Sequence, residues 1–250
     1  MCTLVALFAP QAPHPLVVAA NRDERLNRRA TPPRLWTGGP RFLAPRDEEA
    51  GGTWLGLNAR GLFVGITNRH GVVPEPNRLS RGALVVDALS SPDAASLHER
   101  LGTLPPRQYN AFHLLYADRS RMFVTWSDGE RLHREELRPG LHVVTERSLG
   151  GDDHARTELI LARAAPLLSA EPPRDDALAA LMGQHRAGDR AGSVCVHDEA
   201  FGYGTRSSLL LWLGRSWSDT RLSWAEGPPC TAPFVDQAPL IAALRDAPPL

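Results

Sequence analysis

Residues 1–25 read MCTLVALFAPQAPHPLVVAANRDER, and this stretch decides the fold. Residues 3–8, TLVALF, form a short apolar run of the kind that makes a buried strand. APQAPHP is a rigid turn, because its prolines remove backbone donors and hold φ. Residues 15–20, PLVVAA, supply a second strand. A hairpin around this turn sets Phe8 near Pro15 and, counting back, Cys2 near Asn21. The polar run Asn21-Arg22-Asp23-Glu24-Arg25 then lies beside the chain start. Charged residues after a strand commonly form a solvated loop; the hairpin is what makes a functional site the sharper expectation.

Outward from this hairpin, the pattern alternates strand pairs with helices. Residues 31–50 are rich in proline, lack periodicity, and read as a long surface loop over a site. GGTWLGLNARGLFVGITNRHG carries strands over 53–58 and 62–67, joined at Ala59-Arg60-Gly61. Ser80 caps a helix over 81–90, and Ser91-Pro92 fits the N-cap and N1 of another that runs to Leu101. Strands are expected at 111–117, 121–127 and 141–145, then helices at 153–165 and 174–184, and final strands at 193–197, 207–214 and 221–225. Hairpins outnumber crossovers, so the expected class is α+β, with mainly antiparallel sheets and helices packed outside, as a single domain over 1–250. No G-x-G-x-x-G follows the first strand, so a Rossmann nucleotide site has no support.

Composition narrows the chemistry. The 250 residues carry 28 basic and 28 acidic side chains, a formal net charge of zero, and no lysine. A lysine Schiff base, a pyridoxal-phosphate lysine and a Walker-type phosphate loop are therefore excluded. Neutral charge disfavours a nucleic-acid partner. Three cysteines, Cys2, Cys195 and Cys230, cannot build a disulfide framework, which fits a reduced, cytoplasmic setting. The start lacks a charged leader, and no apolar run reaches the length of a membrane span. The nine histidines show neither HExxH nor Cys/His ligand spacing, so no metal is expected; Cys195 on the run SVCV is expected to be buried, and His197 to be structural.

Cys2 is the candidate nucleophile. Trimming of Met1 would leave one residue with a thiol of pKa about 8.5 and an α-amine of about 7.7–8.0. The amine then serves as local base, directly or through water, and no histidine is required. Arg22 would favour thiolate, while Asp23 would hold the ammonium or orient the amine. A retained Met1 removes this mechanism.

MC at the start, NRDE after the second strand, GGTWLG, TNR, SRG and YGTRSS together resemble the NRDE protein family, which includes the transport and Golgi organisation proteins of animals. The resemblance covers nearly the whole chain in order. It implies an N-terminal-nucleophile hydrolase fold, a four-layer α/β/β/α sandwich, with the penicillin V acylase and bile-salt hydrolase group as structural analogues. These use an exposed N-terminal cysteine on linear amides. By that resemblance Cys2 attacks an acyl carbonyl, Arg22 and Asp23 position it, and Asn68 donates to the oxyanion. Arg206 holds Asp23 or a substrate carboxylate, and Asn21 and Glu146 contact substrate. The bland alternatives are a turn side chain for Asn68 and a structural ion pair for Arg206.

One departure stands out. Where the family usually has Asn after the strand LHVVT, this chain has Glu146, and an ionised carboxylate cannot donate to an oxyanion. Two functions follow as expectations: a cofactor-free amidohydrolase acting on a small acylated molecule, or a non-enzymatic haem or lipid carrier with His70, His197 or Cys2 on iron.

Overall fold

The computed structural model describes residues 2–37, 39–149, 155–164, 174–189 and 192–246. Its strands build two seven-stranded sheets, and every strand pairing in them is antiparallel. The first contains β1 (Cys2–Phe8), β2 (Leu16–Arg25), β10 (Gly140–Val144), β11 (His197–Asp198), β12 (Tyr203–Leu213), β13 (Arg221–Ala225) and β14 (Val235–Asp236). Its order is β10-β1-β2-β12-β13-β14, with β11 on the free end of β12. The second runs in chain order through β3 (Ala30–Trp36), β4 (Phe42–Asp47), β5 (Leu55–Asn58), β6 (Phe63–Asn68), β7 (Phe112–Ala117), β8 (Met122–Ser127) and β9 (Leu132–Glu136).

Alternation of side chains along β1 and β2 explains the packing. Leu4, Ala6, Phe8, Leu16, Val18 and Ala20 face the second sheet and meet Leu43, Leu57, Phe63 and Leu115 from it. Val5, Val17 and Ala19 face the other way, against Ile160 of α3 (Ala155–Ala164) and Leu178 and Met182 of α4 (Asp175–Met182). On the far side of the second sheet, Leu84 and Val85 of α1 (Arg81–Ala88) and Leu97 of α2 (Ala94–Leu101) cover Val64, Phe112 and Tyr116. The fold is thus two antiparallel sheets packed with flanking helices, consistent with an αββα arrangement.

Several sequence expectations need correction. The first hairpin forms, but Phe8 pairs with Leu16 rather than Pro15, so Cys2 meets Arg22 rather than Asn21. The polar run is not a loop: β2 continues through it to Arg25, because β12 pairs with it as far as Tyr203↔Arg25. The 31–50 segment is not a surface loop but contains β3 and β4. Its prolines are tolerated because β3 is an edge strand with a register shift between Thr31 and Arg34, and Pro45 lies beyond the Phe42–Leu43 pairing with β5. Asp93, not Ser91, caps α2, its carboxylate accepting from the Ser96 N–H. Only His197 of the expected 193–197 strand is in a sheet. The helix expected over 153–165 is seen as Ala155–Ala164, its remaining residues lying outside those described. Strand β9 and helix α5 (Ala238–Arg245) were not anticipated.

Candidate active site

Cys2 opens β1 directly across from Arg22. The alternation that sends Leu4 and Ala6 between the sheets places Cys2 and Arg22 on that same face. Thr3, Asn21 and Asp23 belong to the opposite face, toward α3 and α4. Asp23, the next residue along β2, lines the same cavity as Cys2, and its backbone N–H acts on the Cys2 sulfur. Burial pushes the Cys2 thiol above its ordinary pKa, and the Asp23 charge adds to this, while Arg22 and the Asp23 backbone N–H oppose it. The Cys2 thiol is therefore a weak nucleophile until a base takes its proton.

Arg22 is buried and held by two partners. Its Nη2 donates to Asp47 Oδ2 at 3.1 Å, and its guanidinium lies 4.3 Å above the centre of the Trp54 ring. Asp47 also accepts from Arg28 Nε at 2.7 Å and from the Glu49 and Ala50 backbone N–H groups. Burial pulls the Asp47 carboxyl up, but these donors and Arg22 overcome it and hold the group below the usual carboxylate range. Asp47 thus stays ionised and fixes a positive charge beside the sulfur.

Asp23 is held by the YGTRSS segment of β12. The Thr205 hydroxyl donates to Asp23 Oδ1 at 2.6 Å, and Tyr203 Oη donates to the Asp23 carbonyl at 2.7 Å. Between them Gly204 is obligatory on packing grounds: a Cβ there would lie 2.9 Å from the Val196 carbonyl oxygen. On the helix side, Arg156 of α3 reaches Asp23 Oδ2 at 3.6 Å, Glu146 Oε2 at 3.4 Å and Thr3 Oγ1 at 3.2 Å. All of these groups are buried. Burial raises the Asp23 pKa, and the Arg156 charge only partly offsets the rise. Arg156 is a residue sequence reasoning missed. Its signal was positional: Arg156, Ile160 and Ala164 share the buried stripe of α3 at four-residue spacing.

The other expected residues divide. Glu146 is buried in the ion pair with Arg156 and also forms part of a cavity wall. Asn21 spends both amide hydrogens on the Met182 and Val194 carbonyls, each at 2.9 Å. Arg206 stands half-buried at the β12 bulge, and among the described residues no ion pair joins it to Asp23. Asn68 ends β6 with its side chain exposed.

Cys2, Arg22, Trp54, Asn68 and Arg81 line one cavity of about 550 Å³. Asn68 and Arg81 are shared with a neighbouring cavity of about 560 Å³ that reaches His70 and Glu146. Arg81, also missed by sequence reasoning although its SRG motif was noted, donates to the Ala111 carbonyl at 3.1 Å. Burial lowers its pKa, and the Cys2 charge opposes this. Gly52 of GGTWLG presses on Gly82 of SRG so closely that a Cβ on Gly52 would lie 2.4 Å from the Gly82 carbonyl carbon. Two motifs far apart in sequence thus form one corner of the cavity.

The structure also gathers four side chains outside this cavity. His185, Cys195, His197 and Cys230 each offer a ligand atom, and those atoms lie within 4.8 Å of one another. The sequence spacing of these four residues gave no sign that they meet. Cys195 is buried as expected, while His197 meets both sulfurs.

A family model described as "Transport and Golgi organisation 2" matches residues 1–223. The chain is 35% identical over 128 residues to the mouse Transport and Golgi organization 2 homolog, covering 48% of this chain and 46% of the relative. It is 32% identical over 160 residues to the cattle homolog, covering 60% of this chain and 58% of that one. The chain thus spans about half the length of the curated relatives it matches. Among solved structures, it resembles the N-acylethanolamine-hydrolyzing acid amidase ortholog of Caenorhabditis elegans, with a TM-score of 0.59 at 10% identity over 84% of this chain and 92% of that one. A variant of the conjugated bile acid hydrolase of Clostridium perfringens gives a TM-score of 0.54 at 11% identity, covering 95% of this chain and 92% of that one. At such identities the likeness is one of fold. No helix among the described residues is long and apolar enough to cross a membrane.

Proposed function

The chain belongs to the Transport and Golgi organisation 2 family, and we propose that it is an N-terminal-cysteine amidohydrolase, built as a four-layer sandwich, that cleaves the amide bond of a small acylated substrate. The observation that carries this is the pairing of Cys2 with Arg22 at the head of a cavity that Asp23 also lines. Removal of Met1 frees the α-amine of Cys2. As Sγ attacks the acyl carbonyl, its proton passes to that amine, which overcomes the raised thiol pKa. The α-ammonium returns the proton to the leaving nitrogen as the C–N bond breaks. Water, deprotonated by the same amine, then opens the thioester to release the acid and regenerate the thiol.

Asp23 holds the amine in register, and Arg22 supplies positive potential at the sulfur. Asn68 extends into the shared cavity, where its amide N–H serves the tetrahedral oxyanion. Glu146 does not have to supply that donor, and its pairing with Arg156 keeps its charge off the oxyanion. Arg81 offers a guanidinium to an anionic or carbonyl-bearing end of the substrate. Arg206 acts at one remove, on the strand that carries Thr205.

The test is intact mass after exposure of cell-derived protein to a thiol-reactive acyl or β-lactone probe, followed by an amide panel. The expected result is a chain lacking Met1, labelled once at Cys2, and hydrolysing at least one acyl amide. A chain that retains Met1, or a trimmed chain unlabelled at Cys2, overturns the proposal.

A further inference from the structure

We propose that His185, Cys195, His197 and Cys230 form a structural zinc site. These four residues come from three segments: the turn after α4, the approach to β11, and the loop between β13 and β14. Only the fold brings them together, which is why their sequence spacing matches no zinc signature. Two thiols with two imidazoles is a donor set that suits zinc.

Three of the six ligand edges, those among Cys195, Cys230 and His197, can be set against a tetrahedron. With Zn–S near 2.3 Å and Zn–N near 2.05 Å, a tetrahedral site has an S···S edge of about 3.8 Å and S···N edges of about 3.6 Å. The Cys195 and Cys230 sulfurs are 3.7 Å apart, and the Cys195 sulfur is 3.6 Å from His197 Nε2. The third edge, His197 Nε2 to the Cys230 sulfur, is shorter at 3.1 Å. Both cysteines are free thiols.

A second observation points the same way. His185 Nδ1 lies 3.0 Å from the Cys195 carbonyl oxygen, which accepts its N–H. This fixes the tautomer and leaves the Nε2 lone pair available, the arrangement that metal-bound imidazoles commonly use. The His185 and His197 rings lie 5.2 Å apart, so both can reach one ion.

The site would have a structural purpose. Asn21 holds the Val194 carbonyl, and the Val196 N–H donates to Thr205 Oγ1. Cys195 lies between these two anchors. The ion would therefore tie the Cys230 loop to the segment that buttresses Thr205 and, through it, Asp23. Binding replaces two S–H bonds with two Zn–S bonds and releases both protons to solvent; no oxidant or reductant is involved.

Cobalt(II) titrated anaerobically into the reduced full chain tests this. The expected result is the visible absorption of tetrahedral cobalt with a thiolate-to-cobalt band, saturating at about one equivalent and displaced by zinc. Cys230→Ser, at an exposed position, should weaken binding by at least 10–100-fold or so. His185→Gln should weaken it likewise, and Cys2→Ala should leave the spectrum intact. No tetrahedral band on the wild-type chain overturns the site, as does a band that survives Cys230→Ser or vanishes with Cys2→Ala.

Discussion

Thr205 donates its hydroxyl to Asp23 Oδ1 at 2.6 Å while accepting the Val196 N–H at 2.8 Å. One hydroxyl thus links the carboxylate beside the candidate nucleophile to the segment preceding β11. Thr205→Val keeps the shape and removes both bonds. It leaves a buried N–H and a buried carboxylate short of a partner, which costs about 1–3 kcal/mol for each neutral group. Urea unfolding should show the loss, and the variant should also lose acyl-probe labelling. Tyr203→Phe, which removes one bond to the Asp23 carbonyl, should cost only about 1 kcal/mol.

Cys2→Ala removes the sulfur from a half-buried position at the end of β1. Its unfolding free energy should stay within about 1 kcal/mol of wild type. Probe labelling and amide turnover should both vanish. Residual turnover by this variant would assign the nucleophile elsewhere.

Arg156 sits between two buried carboxylates, Asp23 and Glu146. Arg156→Met keeps the bulk and removes the charge that they share. At neutral pH the expected loss is about 3–5 kcal/mol, because the carboxylates are left uncompensated inside the protein. Combining it with Glu146→Gln should recover part of the loss in a double-mutant cycle.

Asp23 and Asp47 should give stability profiles of opposite slope. Burial raises the Asp23 pKa above the ordinary aspartate value of 3.8, so its contribution is fully present below that value and is lost as pH rises through the folded pKa. The Asp47 pKa lies below 3.8 because its donors outweigh burial, so its contribution is present above 3.8 and is lost as pH falls through the folded pKa. Chemical unfolding across acidic to neutral pH should show this. The difference between wild type and Asp23→Asn should fall as pH rises, and that between wild type and Asp47→Asn should grow.

Gly52→Ala places a methyl 2.4 Å from the Gly82 carbonyl carbon. Neither backbone can move without disturbing the cavity corner. The expected cost is about 1–3 kcal/mol, measured by thermal or urea unfolding. Probe labelling at Cys2 should slow with it, since Trp54 carries Arg22 two residues further on.

Local pattern made the first hairpin legible, since two apolar runs around a proline turn have few other ways to bury themselves. It also placed Cys2 at the Asn21–Asp23 run, one residue out of register. Proline at an edge strand hid β3 and β4, because composition alone does not distinguish a loop from a strand that needs few donors. Arg156 and Arg81 were harder still. One is a charge on a buried helix stripe, and the other a short motif whose partner motif lies elsewhere in the chain.

The sequence by itself determined which segments are strands and helices over most of the chain, the antiparallel habit of the sheets, and the candidate nucleophile with its two neighbours on β2. These rest on side-chain period and turn chemistry, which act between residues close in the chain. Only the tertiary structure decided that Glu146 shares Arg156 with Asp23, that Asn21 is spent on the Met182 and Val194 carbonyls, and that two cysteines and two histidines meet. Burial makes partners of groups 173 positions apart, as with Asn21 and Val194, and 182 apart, as with Asp23 and Thr205, and no local spacing records which buried polar group will satisfy which.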